Sequence, residues 1–233
     1  MFEELMQFFG NTWHMMLPMG VIAYLLGSIN FAIIVTRKFS KTDIRDHGSG
    51  NAGATNVLRS QGVLPAAITA VGDLGKSIVS VLIGRYLFVH WVNPAYNQID
   101  YVGIIGMYVA GFFCVIGHLY PLYFGFRGGK GIITGFGLFL MLDFRVALLG
   151  LLAFLVILFS TRMVSLGSVV GAWTIVTLTY VFRTYIYEQP TIICWFCTIV
   201  GIVIAAILTI KHRSNIRRIL AGTENKVSFR KSK

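Results

Sequence analysis

Gly131-Ile132-Ile133-Thr134-Gly135-Phe136-Gly137-Leu138-Phe139-Leu140-Met141-Leu142 carries no charge and is only twelve residues long. A helix needs roughly 20 apolar residues to cross about 30 Å of hydrocarbon. Length alone therefore leaves this stretch open between a span and a re-entrant segment. The two readings put every later loop on opposite sides of a membrane. The other apolar runs are Trp13–Val35, Val63–Val89, Tyr101–Phe126, Val146–Thr161, Met163–Phe182 and Pro190–Ile210. The first has no Lys or Arg before Arg37, unlike a signal peptide, and reads as a retained helix. The second is interrupted by Asp73, Lys76 and Arg85.

Positive charge decides the matter, because cytoplasmic loops collect Lys and Arg. With seven spans and the N-terminus outside, sixteen Lys and Arg face the cytoplasm and two, Arg145 and Arg183, face outward. Lys76 and Arg85, inside a span, are left out of this count. If Gly131–Leu142 does not cross, the split becomes nine to nine. The expected fold is thus an all-α, polytopic membrane helix bundle of seven transmembrane helices, with the C-terminus cytoplasmic.

Composition supports a membrane protein. The chain has 233 residues, 56% apolar and only 12% charged, with mean hydropathy +0.74. A soluble domain carries about a quarter charged residues. The apolar content excludes a disordered chain, and three cysteines exclude a disulfide scaffold. No soluble linker is long enough to separate a second domain, so residues 1–233 read as one membrane domain. The net charge of +11 favours anionic partners: lipid headgroups, phosphorylated substrates or nucleic acid.

The seven-span reading places three polar stretches, 37–61, 125–135 and 211–226, on the cytoplasmic side. In the first, small residues run from Gly48 to Thr55. Glycines let successive N–H groups point into one concavity, which suits an anion. Ser49, Asn51, Thr55 and Asn56 add neutral donors, and Arg59 adds a guanidinium fork that matches phosphate. A flexible loop rich in turn residues fits this stretch equally well. In the second, Gly128-Gly129-Lys130-Gly131 precedes a helix start, where free N–H groups and the dipole favour anions, and Thr134 follows in the first turn. A tight turn bearing one positive-inside lysine is the plainer reading. Its spacing is not that of a Walker A loop, so nucleotide hydrolysis is rejected. In the third, His212 and Asn215 are three apart and share a helix face, with Ile216, Ile219 and Leu220 forming an adjoining apolar stripe. A basic tail gripping anionic lipid accounts for most of its arginines.

Together the three stretches resemble the bacterial acyl-phosphate:glycerol-3-phosphate acyltransferase family. The match runs from Gly27-Ser28-Ile29 through Gly48–Arg59 and Gly128–Gly131 to His212–Lys226. The resemblance implies a multi-pass enzyme of the bacterial inner membrane with its active site on the cytoplasmic side. It would move an acyl group from acyl phosphate to the 1-hydroxyl of glycerol 3-phosphate, without cofactor, metal or nucleic acid. It implies that Ser49, Arg59, His212 and Asn215 matter for activity. The glycines of the second stretch (Gly128, Gly129 and Gly131) and Lys130 would hold a phosphate, and Glu224 would matter for structural integrity. Gly48, Gly50, Asn51, Thr55, Asn56 and Thr134 complete the candidate phosphate-binding set. The chain departs from the family where Asn30 stands in place of a usual proline and where Gly-Ile-Ile-Thr replaces Gly-Val-Ala-Thr from Gly131. Both read as packing positions.

Acyl phosphate is a mixed anhydride with a good leaving group, so no covalent enzyme nucleophile is needed. No Gly-x-Ser-x-Gly elbow occurs, and no histidine has Asp at the fifth position after it. Direct attack by the glycerol hydroxyl is the expected route, with His212 or a substrate phosphate oxygen as base. Two rival readings remain: a carrier for a phosphorylated metabolite, and a noncatalytic membrane anchor acting through the basic tail. Asp73 and Lys76, three apart on one helix face, read as a neutralising pair. Cys194 and Cys197 read as packing residues, and His118 as a structural histidine at a helix end.

Overall fold

In the computed structural model, which describes residues 2–92 and 99–227, every regular element is helical. The end of the chain from Arg230 and most of the polar stretch near 91–100 lie outside the described residues. The chain forms two compact units, Met1–Leu142 and Asp143–Lys233.

The first unit contains α1 (Phe2–Ser28), α2 (Phe31–Ser40), α3 (Ala54–Gln61), α4 (Val63–Leu87), α5 (Ile99–Leu119) and α6 (Ile132–Leu142). Helix α5 packs on α1 and α4, and α6 packs on α4 and α5. Small residues allow this: Gly84 of α4 and Gly106 of α5 meet so closely that a Cβ on either would strike the other's carbonyl oxygen. Apolar helices in lipid gain nothing from hiding from water, so close backbone approach is what holds them together.

The first apolar run, expected as one helix, is broken at Ile29–Asn30. Asn30 is the N-cap of α2, with an extended backbone and a side-chain oxygen that accepts from the Ile33 amide at 3.2 Å. A proline cannot supply that oxygen, so Asn30 is a capping position and not only a packing one.

Among the described residues, six stretches are long and apolar enough to cross a bilayer: Gly10–Ser40, Val63–Trp91, Tyr101–Phe124, Phe144–Thr161, Val164–Ile186 and Thr191–Lys211. The α6 helix is shorter, with 11 residues. At 1.5 Å per residue it rises about 16 Å, roughly half the hydrocarbon thickness.

The second unit contains α7 (Phe144–Thr161), α8 (Val164–Val181), α9 (Thr191–Lys211) and α10 (Arg213–Leu220). Helix α8 packs on α7 and α9, and α10 packs on both α8 and α9. Most of α7 is apolar yet uncovered, with Leu148, Leu152, Val156 and Phe159 all exposed. Lipid is the solvent such a face requires. Asp143 caps α7 by accepting from the Arg145 and Val146 amides, and its other oxygen accepts from the Tyr187 hydroxyl at 2.6 Å. Burial, and then that carboxylate, push the Tyr187 phenol above its ordinary pKa. Cys194 and Cys197 are buried thiols within α9.

Candidate functional site

The loop before α3 is folded around one side chain. Asn56, 2% exposed, accepts the Ser49 amide hydrogen at Oδ1 (3.0 Å) and donates from Nδ2 to the carbonyls of His47 (2.9 Å) and Ile44 (3.2 Å). Both amide hydrogens of Asn56 are thereby committed to the loop, so it shapes the site and offers no N–H outward. Gly48 and Gly50 are left-handed, at φ +59° and +69°, and a Cβ on Gly48 would collide with Asn56 Oδ1. Ile44, Ala52 and Val57 anchor the loop in a small core with Ala32, Ile33 and Ala66.

That fold leaves Ser49, Thr55 and Arg59 exposed and Asn51 half-buried. Thr55 and Arg59 are four apart on α3 and share its outer face, opposite the buried Asn56 and Val57.

Arg45 staples this loop to the second stretch. Its Nη1 donates to the carbonyls of Phe124 (2.7 Å) and Arg127 (3.3 Å), while Nε and Nη2 hold Asp43 at 2.9 and 2.8 Å. Arg37 adds a second ion pair to Asp43 at 2.9 Å. Hydrogen bonds from Arg45 hold the Asp43 carboxyl well below the usual carboxylate range. The same pairing raises the Arg45 guanidinium.

The second stretch leans on the end of α5. The amides of Gly128 and Gly129 donate to the carbonyls of Leu119 (3.3 Å) and His118 (3.2 Å). A Cβ on Gly129 would meet both the His118 ring and the Ala52 carbonyl, so the two stretches pack directly against each other. Gly131, at φ +77°, immediately precedes α6, its carbonyl accepting from the Gly135 amide at 2.7 Å. Lys130 beside it is half-buried. Thr134 is fully buried, and its carbonyl accepts from Ser77 Oγ at 2.7 Å, which pins α6 to α4.

The third stretch forms its own cluster in the second unit. His212, 3% exposed, donates from Nδ1 to the Leu208 carbonyl at 2.8 Å. Asn215 donates from Nδ2 to Glu224 Oε1 at 2.7 Å. Ser165 of α8 donates to the same oxygen at 2.8 Å, and Arg218 Nε reaches Oε2 at 2.8 Å. Burial raises the Glu224 carboxyl, but the hydrogen bonds from Asn215, Ser165 and Arg218 outweigh it and hold the group below its ordinary value. The structure thus joins the first two stretches within one unit and ties Asn215 to Glu224 within the other. Arg45, Asp43 and Ser165 were not singled out by the sequence. Arg45 and Ser165 have partners 79 and 59 residues away, too far to show as a pattern, whereas Asp43 pairs with the nearby Arg37 and Arg45, a local spacing that sequence reading could have found.

A family model described as glycerol-3-phosphate acyltransferase matches residues 17–222. The chain belongs to that family. It is 37% identical over 221 residues to the glycerol-3-phosphate acyltransferase of Carboxydothermus hydrogenoformans, covering 94% of this chain and 100% of the relative. It is 40% identical over 209 residues to that of Thermoanaerobacter pseudethanolicus, covering 89% and 93%. Among solved structures, it is similar to PlsY, an integral membrane glycerol 3-phosphate acyltransferase, in its glycerol 3-phosphate form. That match has a TM-score of 0.73 and 32% identity, covering 91% of this chain and 96% of the other. A lysophosphatidic acid form of the same protein matches with a TM-score of 0.71 and 31% identity, covering 91% and 95%. Membership in this acyltransferase family fits a polytopic membrane chain whose described regular elements are all helical.

Proposed function

We propose that the chain transfers an acyl group from acyl phosphate to the 1-hydroxyl of glycerol 3-phosphate, releasing lysophosphatidic acid and phosphate. The observation that carries this is family membership over residues 17–222. The stapling of the Gly48–Arg59 loop to the Gly128–Lys130 loop supports it, because it sets Arg59, Lys130 and two glycine-bearing turns within one unit. Both substrates and the leaving group carry phosphate, so such a surface needs fixed positive charge and N–H donors.

In this reading Ser49, Thr55, Arg59 and Lys130 contact phosphate or the developing oxyanion. Gly48, Gly50, Asn51, Gly128, Gly129 and Gly131 shape the loops, while Asn56 and Thr134 hold them from within. The substrate hydroxyl oxygen bonds to the acyl carbon, the acyl–phosphate C–O bond breaks, and phosphate leaves with that electron pair. The base that takes the hydroxyl proton is His212 or a phosphate oxygen. Positioning and charge stabilisation supply most of the rate. Asn215 serves the same chemistry, oriented by Glu224.

The topology proposed with it has seven crossings, α6 included, the N-terminus outside and the loops on the cytoplasmic side of the bacterial inner membrane. The sixteen-to-two charge split supports it. Cysteine labelling that located positions 49 and 130 on opposite sides of the membrane would overturn it. For the reaction, purified protein is given acyl phosphate and labelled glycerol 3-phosphate, with acyl-CoA in a parallel sample. Product with acyl phosphate supports the assignment. Product only with acyl-CoA rejects the donor, and none with either restores the carrier and anchor readings.

A further inference from the structure

Asp73, Lys76 and His118 form an ionisable cluster inside the first unit, at 1%, 5% and 3% exposure. Lys76 Nζ donates to the carbonyls of Gly27 (2.9 Å) and Ile29 (2.7 Å), and lies 2.9 Å from Asp73 Oδ1 and 3.0 Å from His118 Nδ1. An ammonium has three hydrogens. Two serve the carbonyls, and Asp73 Oδ1 stands at ion-pair distance from the same nitrogen. Neutralising Lys76 requires only Asp73; the imidazole is additional.

Its surroundings show what it adds. Its Nδ1 faces Lys76 and Asp73, and its Nε2 lies against Gly129, so close that a Cβ there would collide with it. The His118 carbonyl meanwhile accepts the Gly129 amide hydrogen at 3.2 Å and stands where a Cβ on Gly128 would go. His118 therefore touches the Gly128–Lys130 loop with ring and backbone, while Lys76 and Asp73 (3.4 Å from Nδ1) hold the ring from behind.

We propose that His118, oriented by Lys76 and Asp73, is a positioning residue that sets the Gly128–Lys130 loop for a substrate phosphate. This rests on reading that loop as a phosphate site. The pair His118→Asn and His118→Gln separates positioning from mere stability. An Asn amide reaches the Nδ1 position and keeps a partner for Lys76, but withdraws from Gly129. A Gln amide reaches toward Gly129 instead. Steady-state kinetics with acyl phosphate and glycerol 3-phosphate, product inhibition by inorganic phosphate, and thermal unfolding in detergent are measured on both, on Lys130→Ala, and on the His118→Asn/Lys130→Ala double variant.

His118→Asn is expected to keep its melting temperature while a KM for one phosphorylated substrate, or the inhibition constant of phosphate, weakens about tenfold and kcat falls less. His118→Gln should keep most of that affinity, and the Asn change should add little on top of Lys130→Ala, because both act through one loop. Parental constants in His118→Asn, equal losses in both His118 variants, or full additivity with Lys130→Ala would overturn the proposal. If His118→Asn does not fold, a tenfold affinity loss in a stable His118→Gln overturns it and retained affinity supports it. Parental constants in Lys130→Ala instead sink the phosphate reading of the loop, and the proposal with it.

Discussion

Asn56 Oδ1 accepts the amide hydrogen of Ser49 at 3.0 Å, across seven residues of chain. That bond places Ser49 at an exposed position on a loop held from within by the Asn56 side chain. Replacing Asn56 with Asp exchanges two donors for an oxygen facing the His47 and Ile44 carbonyls. Buried groups left unsatisfied cost about 1–3 kcal/mol each. Asn56→Asp is expected to lower the melting temperature and to reduce kcat/KM at least tenfold. Parental kcat/KM in a folded Asn56→Asp would separate the loop's shape from its activity.

Arg59 is exposed on α3, beside Thr55, and makes no side-chain hydrogen bond among the described residues. Exposed substitutions usually change stability by about 0.5 kcal/mol or less. A charge-assisted hydrogen bond to a substrate is worth about 1.5–3 kcal/mol. Arg59→Ala should therefore unfold at the parental temperature while losing on the order of 10- to 100-fold in kcat/KM. Arg59→Lys should recover only part, because an ammonium cannot make the forked contact. Equal activity in all three proteins would remove Arg59 from the site.

Glu224 sets a pH dependence whose direction follows from its partners. Its folded pKa lies below the ordinary 4.5, because hydrogen bonds from Asn215, Ser165 and Arg218 outweigh burial. A carboxyl lowered in the folded state stabilises fully above its unfolded pKa, and that contribution fades as pH falls through the folded value. The melting temperature should decline below about pH 4.5. Glu224→Gln should start lower at neutral pH and show a shallower acid decline. An identical acid limb in both proteins would count against Glu224 as its source.

The buried pair of Asp73 and Lys76, 2.9 Å apart, predicts an asymmetry between single and double replacements. Removing one partner of a buried pair costs about 3–5 kcal/mol, because the other charge is stranded, whereas replacing both with apolar residues is often neutral. Lys76→Met alone should destabilise strongly and expose the Gly27 and Ile29 carbonyls. The Asp73→Leu/Lys76→Met double variant should recover a good part of the loss, measured by thermal unfolding in detergent. If the double variant is the less stable, the network around Lys76 outweighs simple charge pairing.

The spans were legible because lipid reads composition and length. Val63–Val89 in the sequence became Val63–Trp91 in the structure, and the six long runs appear with shifts of a few residues. The interruption at Ile29–Asn30 was not legible. The donor that satisfies it, Lys76, lies 47 residues from Ile29. Arg45 looked like one more positive-inside charge, yet it binds carbonyls 79 and 82 residues away. The residue types of the candidate site could be read from glycines, Arg59 and Lys130. Which of them hold the loops and which face outward depended on partners outside any local period. Asn56 and Thr134 lie on the inner side of that division, and Ser49 and Arg59 on the outer.

The Gly27 and Ile29 carbonyls sit within an apolar segment and take their hydrogens from a lysine on α4. Hydrocarbon offers no substitute for that donor. The break between α1 and α2 is therefore completed by a residue of α4, and the two segments depend on one another for a satisfied backbone.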